Sequence, residues 1–289
     1  MRLSRLGIVS LILLTVILGA NCGYYNRIIT RKNLVDGGTA YKNRKFQDAE
    51  QYFRYAVARD PESKEGKTAR LFLARTLHSQ FIGDREVVAK AEDAIKEYKA
   101  VLAQDAADQS SFNAVANLLE NLNKGDEWLK WVMERASNEQ VPAEQRAEAL
   151  TKLAAKKYSC ANEISDQDPV KKTVKKDGKD VFQFTKPEDP ATFEKFRQCV
   201  QEGLELANRA ENLNTNSDAV WSYKANMLAQ QMRLAEMDGN TQQRDAIKGD
   251  ADKAKARFTE LSNARKEKEA AIEREKKAQE EAATSSNKK

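Results

Sequence analysis

The stretch FQDAEQYFRYAVARDP, from Phe46 to Pro61, decides the reading of the chain. From Ala49 the next distinctive residues are Phe53, Ala56 and Pro61, at offsets of 4, 7 and 12. Offsets of four and seven fall on one face of a helix. Proline then stops that helix, because it lacks an N–H and its ring clashes with the preceding turn. The question is whether this is one amphipathic helix of an ordinary core or one unit of a repeat.

The spacing recurs. Ala94, Tyr98, Val101 and Ala106 repeat it, and so do Gly203, Ala207, Ala210 and Thr215. A fainter copy runs through Lys130, Glu134, Ser137 and Pro142. The stretch Ala219–Gln230 places Trp221 and Ala225 like the first helix of such a unit, and Gly37 takes the same small-residue place before Phe46. This order of small, aromatic, small and proline residues resembles the tetratricopeptide repeat (TPR) family, built from helix–turn–helix units that stack because one pair cannot bury its own apolar face. The resemblance implies an all-α, irregular TPR-like α-solenoid of about five helical hairpins, at 31–61, 68–105, 110–139, 143–212 and 218–262, within a repeat domain spanning 31–262. The second unit carries extra residues around SQFIGDREVVAKA. The fifth is split by MDGNTQQRDAIKGD.

Composition agrees with a helical protein. Of 289 residues only 5 are Pro and 12 are Gly, while 32% are charged. Scarce breakers and abundant straight-chain residues favour helix. The 49 basic and 44 acidic residues are mixed along the chain, without the concentrated basic footprint that nucleic acid calls for. No nucleic-acid partner, cofactor, metal or small-molecule substrate is expected.

Residues 1–22 read as a signal peptide or membrane anchor. Arg2 and Arg5 precede an uncharged apolar run from Leu6 to Ala20. Cys22 follows Gly19, Ala20 and Asn21, which resembles a bacterial lipoprotein signal, with Cys22 as the lipidated residue. The match departs from the usual pattern, since Leu18 stands one place too early. An ordinary cleaved signal, or an uncleaved anchor ending at an interfacial Tyr24–Tyr25 pair, are the alternatives. All three place the rest of the chain outside the cytoplasm, in the periplasm or cell envelope and held at a membrane by a lipid or anchor. In that compartment Cys160 and Cys199 are either a disulfide or two buried thiols.

Residues 166–190 interrupt the fourth unit. Asp177–Gly178 between alternating residues predicts a β-hairpin. Its lysines either form a contact arm or keep the strand edges from pairing. Residues 263–289 read as a charged helix and a disordered tail. A coiled-coil seam begun at Phe258 and Leu261 fails at Arg265 and Lys268.

Catalytic signals are sparse. The GKT at Gly66–Thr68 has Pro61 where a phosphate loop needs glycine. Gly37–Gly38 follows no hydrophobic strand. The one histidine, His78, has no ligand-spaced partner. Trp128 and Trp131 share a helix face, as packing groups or as a binding anchor. No enzymatic role is expected, although scattered carboxylates leave an acid–base enzyme as one alternative, and a rigid spacer arm as another. The expected function is a membrane-tethered scaffold for protein–protein interaction. By the TPR resemblance, its binding face would carry Tyr41 and Lys42 from the first unit and Ser222, Asn226 and Gln230 from the last.

Overall fold

The computed structural model describes the backbone of residues 3–286 and the side chains of residues 23–281. It contains α1 (Leu3–Lys42), α2 (Phe46–Arg59), α3 (Lys64–Gly83), α4 (Val88–Leu102), α5 (Gln109–Asn121), α6 (Gly125–Ser137), α7 (Ala143–Ser165), β1 (Lys171–Lys176), β2 (Lys179–Phe184), α8 (Pro190–Leu213), α9 (Asp218–Met237) and α10 (Thr241–Ser286). Among the described residues, four pairs of helices consecutive in sequence pack on each other: α1 with α2, α3 with α4, α7 with α8, and α9 with α10. The chain divides into two compact units, Met1–Trp128 and Leu129–Lys289, and α6 spans the boundary.

In the N-terminal unit, side-chain contacts give the helix directions. Tyr25 lies under the Arg59 guanidinium, while Tyr41, farther along α1, meets Phe46 at the start of α2. The two helices are therefore antiparallel. Arg27 bonds Glu65 and Tyr41 bonds Ser79, both across 38 residues, so α1 and α3 run parallel. Glu50–Lys90 and Arg54–Asp93 relate α2 to α4 in the same way. The C-terminal unit repeats the scheme: Lys157–Glu202 and Cys160–Cys199 make α7 and α8 antiparallel. Tyr158–Tyr223 and Ser165–Gln230 make α7 and α9 parallel. Antiparallel neighbours with parallel alternates are the TPR-like arrangement expected from the repeat.

The recurring residues are what each hairpin closes on. Ala49, Phe53 and Ala56 are fully buried. A Cβ on Gly37 would lie 2.6 Å from the Phe53 ring, so the glycine is the socket for the aromatic. In the C-terminal unit Ala207 and Ala210 are buried, and a Cβ on Gly203 would meet Met227 and Lys157 below 3.0 Å. The glycine of GKT is explained too. A Cβ on Gly66 would fall 1.9 Å from the Asp60 carbonyl, so this residue lets the α2–α3 turn close rather than cradling a phosphate.

Helix ends are chemically specified. Ser63, Asp108, Asp189 and Ser217 accept hydrogen bonds from first-turn amides of α3, α5, α8 and α9. Helices α1, α5 and α9 share one C-terminal device. Arg44, Asn123 and Gly239 take positive φ, and the next amide returns to Ala40, Leu119 or Ala235. This motif satisfies carbonyls left over at the helix end and turns the chain into the next helix.

Three sequence expectations change. The faint copy in α6 is out of register: Lys130 and Glu134 are solvent-facing, and Trp128, Val132 and Ala136 are the buried positions. Helix α3 starts at Lys64, ahead of the expected unit start at 68, and the extra residues of that unit form its last turn, the connection 84–87 and the start of α4. The segment splitting the fifth unit is only a short turn at Asp238–Asn240, after which α10 begins. The hairpin lies in the inserted segment, with Asp177 and Gly178 both at positive φ and Val174 paired to Val181. Residues 266–281 of α10 are exposed on every side, held by helix pairs such as Glu273–Lys277.

Candidate functional site

In the N-terminal unit, Tyr41 is mainly a packing residue. Its ring meets Phe46 and Phe72 edge-on, and its hydroxyl lies 3.3 Å from Ser79 Oγ. Lys42, in the last turn of α1, is exposed. Below them, Glu50 joins three helices: it accepts from Arg54, from Lys90 at 2.7 Å and from Gln80 at 2.8 Å. Burial alone would raise its carboxyl, but these donors hold it below the ordinary range. A cleft of about 550 Å³ opens beside this cluster, walled by Phe46, Asp48, Asp84 and Val87.

In the C-terminal unit Ser222 and Asn226 are half-buried, one turn apart on α9. Gln230 corrects the expectation for its position, because it is 1% exposed. Its amide accepts from Ser165 Oγ at 3.0 Å and donates to Asn162 Oδ1 at 3.2 Å. It is therefore spent on joining α9 to α7 and cannot meet a partner. Arg233 extends the network, donating to Ser165 at 2.7 Å and stacking 4.4 Å from the Phe184 ring. Burial pulls its pKa below the ordinary value, and the Asp166 charge offsets part of that. The network fixes the base of the β-hairpin to the helices, together with the Phe184 amide donating to Glu236.

Cys160 and Cys199 form a disulfide between α7 and α8, with Cα atoms 6.1 Å apart. It sits in a core with Ile164, Val170, Phe196, Val200, Leu234 and Met237. Cys22 and the apolar run Leu6–Ala20 lie outside the residues whose side chains are described. Among the described residues, no helix is long and apolar enough to cross a membrane.

A surface that the repeat pattern does not point to stands out on the first hairpin. Tyr24, Ile28 and Val35 are 70%, 48% and 59% exposed. Their spacing of four and seven residues, with Lys32 between, puts them on one stripe of α1. The Tyr52 side chain lies within electrostatic reach of the Lys32 ammonium, so α2 runs beside the stripe there, and Tyr55, 57% exposed, is one turn further on. Large exposed aromatics and aliphatics gathered on one helix pair mark an interaction surface. The helical spacing was present in the sequence, but Tyr24 and Tyr25 also fitted a membrane interface.

Among the described residues, no group of three His, Cys, Asp or Glu stands where it would hold a metal. Partial desolvation would raise the carboxyls of Glu50, Asp108 and Asp238, yet neighbouring hydrogen-bond donors hold them below the ordinary range. His78 is half-buried, 3.5 Å from the Tyr98 hydroxyl. Burial pushes its pKa below the ordinary imidazole value, and Arg85 adds to the shift. The unfolded chain therefore takes up the proton first. Stability is expected to be full above the ordinary histidine range and to decline as the pH falls through it. Since His78 is the sole histidine, His78→Gln should flatten that slope in urea-denaturation midpoints measured across the window. An unchanged slope would contradict the buried, neutral imidazole.

No protein-family model matches the chain, and no curated protein matches it. The helical hairpins are TPR-like. Solved structures of similar backbone course include a MamA RS-1 double mutant, with 10% identity, a TM-score of 0.41, and coverage of 82% of this chain and 96% of that one. PilF of Pseudomonas aeruginosa has 13% identity and a TM-score of 0.37, covering 83% of this chain and 99% of its own. A tetratricopeptide repeat protein from Parabacteroides merdae has 11% identity and a TM-score of 0.34, covering 81% and 97%.

Proposed function

We propose that the chain is an extracytoplasmic scaffold, tethered to a membrane through its N-terminus, which holds a protein partner within a cell-envelope complex. The observation carrying this reading is the exposed stripe of Tyr24, Ile28 and Val35 beside Tyr52 and Tyr55. It gives a partner apolar area and tyrosine hydroxyls together, the combination that supplies most binding energy at interfaces. Two features support the compartment. The Leu6–Ala20 run behind Arg2 and Arg5 suits export, and a disulfide is stable where the surroundings are oxidising.

Affinity capture from detergent-solubilised membranes tests the reading. An Ile28→Asp, Tyr55→Asp double variant is expected to retain the partner roughly thirtyfold less well, the loss of one hot spot. An Asn226→Ala variant should leave capture unchanged. Equal capture by native and double-variant protein would overturn the proposed face. A spacer role is favoured by a separate feature, the exposed part of α10 beyond Arg265. It predicts that shortening α10 matters while the α1 and α2 surface does not.

A further inference from the structure

The two faces of the β-hairpin differ in charge. Cross-strand partners share a face, so Lys171, Thr173, Lys175, Asp180, Phe182 and Phe184 lie on one side. That side is balanced. Lys171 pairs with Asp166 at 2.6 Å and sits 4.3 Å from the Phe182 ring, and Lys175 is opposite Asp180. The other side carries Lys172, Val174, Lys176, Lys179, Val181 and Gln183 and contains no carboxylate. Lys176 is directly opposite Lys179, a like-charge placement that weakens a hairpin unless an anion relieves it. Among the described residues, Lys172, Lys176 and Lys179 make no ion pair, and all three are exposed.

We infer that this face binds the headgroups of an anionic lipid surface. Its three lysines flank the Val174–Val181 pair, with Lys172 and Lys176 about 13 Å apart along the strand. A bilayer interface accepts apolar atoms and cations in one plane, since lysine stems lie along apolar groups while their heads reach phosphate. A second copy of the chain would oppose lysine to lysine. An acidic protein face would need carboxylates matched to three flexible stems and an apolar site between them. The face is also held ready: Phe184, Glu236 and the Arg233 network anchor the hairpin base. Each lysine near an anionic surface multiplies partitioning by about fivefold, so the three together supply about a hundredfold.

The test uses the full chain with vesicles of phosphatidylcholine alone or mixed with phosphatidylglycerol. A short pulse of an amine-acylating reagent is read by mass spectrometry at each lysine. On the anionic vesicles Lys172, Lys176 and Lys179 are expected to react about fivefold more slowly or less, with Lys175 on the other face changing little, and the protection should fade at high salt. A Lys172→Gln, Lys176→Gln, Lys179→Gln variant with an unchanged melting temperature should lose its preference for anionic vesicles. Equal acylation on both lipids would overturn the inference. So would uniform slowing that includes Lys175, or protection appearing only when an envelope-protein extract is added, which would assign the face to an acidic protein. Flotation with neutral vesicles reports the N-terminal tether by itself, so the two readings fail separately.

Discussion

Phe53→Ala is expected to destabilise the N-terminal unit by about 3–5 kcal/mol, the loss for emptying a large aromatic site in a core that relaxes only in part. Phe53 is wholly buried, and its ring stacks on Phe72 with centroids 5.7 Å apart. It fills the place that Gly37 leaves open and so joins α1, α2 and α3 at once. The urea midpoint of this unit's transition measures the effect. Tyr55→Ala, on the exposed side of the same helix, should move that midpoint little, within the ~0.5 kcal/mol typical of surface changes. A Phe53→Ala shift as small as that of Tyr55→Ala would mean that α2 does not close on Gly37.

Removing the disulfide should have a similar effect in the other unit. Cys160 and Cys199 are 39 residues apart, and closing a loop of that length restricts the unfolded chain by ~4 kcal/mol. The loop contains the whole β-hairpin, so its release would free both the hairpin and the start of α8. Cys199→Ser, or reduction of the native chain, should lower the midpoint of the C-terminal unit accordingly. Thiol labelling of the unfolded, unreduced protein should leave both cysteines unmodified. Modification of both would show that the bond does not form.

The local part of the fold was legible in the sequence. Ala49, Phe53 and Ala56 recur as a pattern because one helix face must pack against its neighbour, and burial follows that spacing. The β-turn at Asp177–Gly178 was legible because two consecutive positive φ values need such residues. Other features depend on how one helix is set against another. Gln230 shares a helix face with Ser222 and Asn226, so spacing alone grouped it with them. Only the parallel placement of α7 puts Asn162 and Ser165 over it. In α6 a loose match to the small–aromatic–small order fell on Lys130 and Glu134, while the tryptophan that decides the buried face is Trp128. The shared helix ends at Arg44, Asn123 and Gly239 have no common sequence signal, because three different residues adopt the same positive φ. The stripe at Tyr24, Ile28 and Val35 carried a helical signal that could serve a membrane interface or a protein partner equally well.

The claim that the first hairpin grips another protein is tested most directly by site-specific photo-cross-linking in living cells. A photoreactive amino acid would replace Ile28 or Tyr55 on the exposed stripe, or Asn226 on α9 as the comparison. Scaffolding through the first hairpin predicts one discrete protein adduct of the same size from positions 28 and 55, with none of that size from 226. Absence of any protein adduct at 28 and 55, or the same adduct from all three positions, would contradict it.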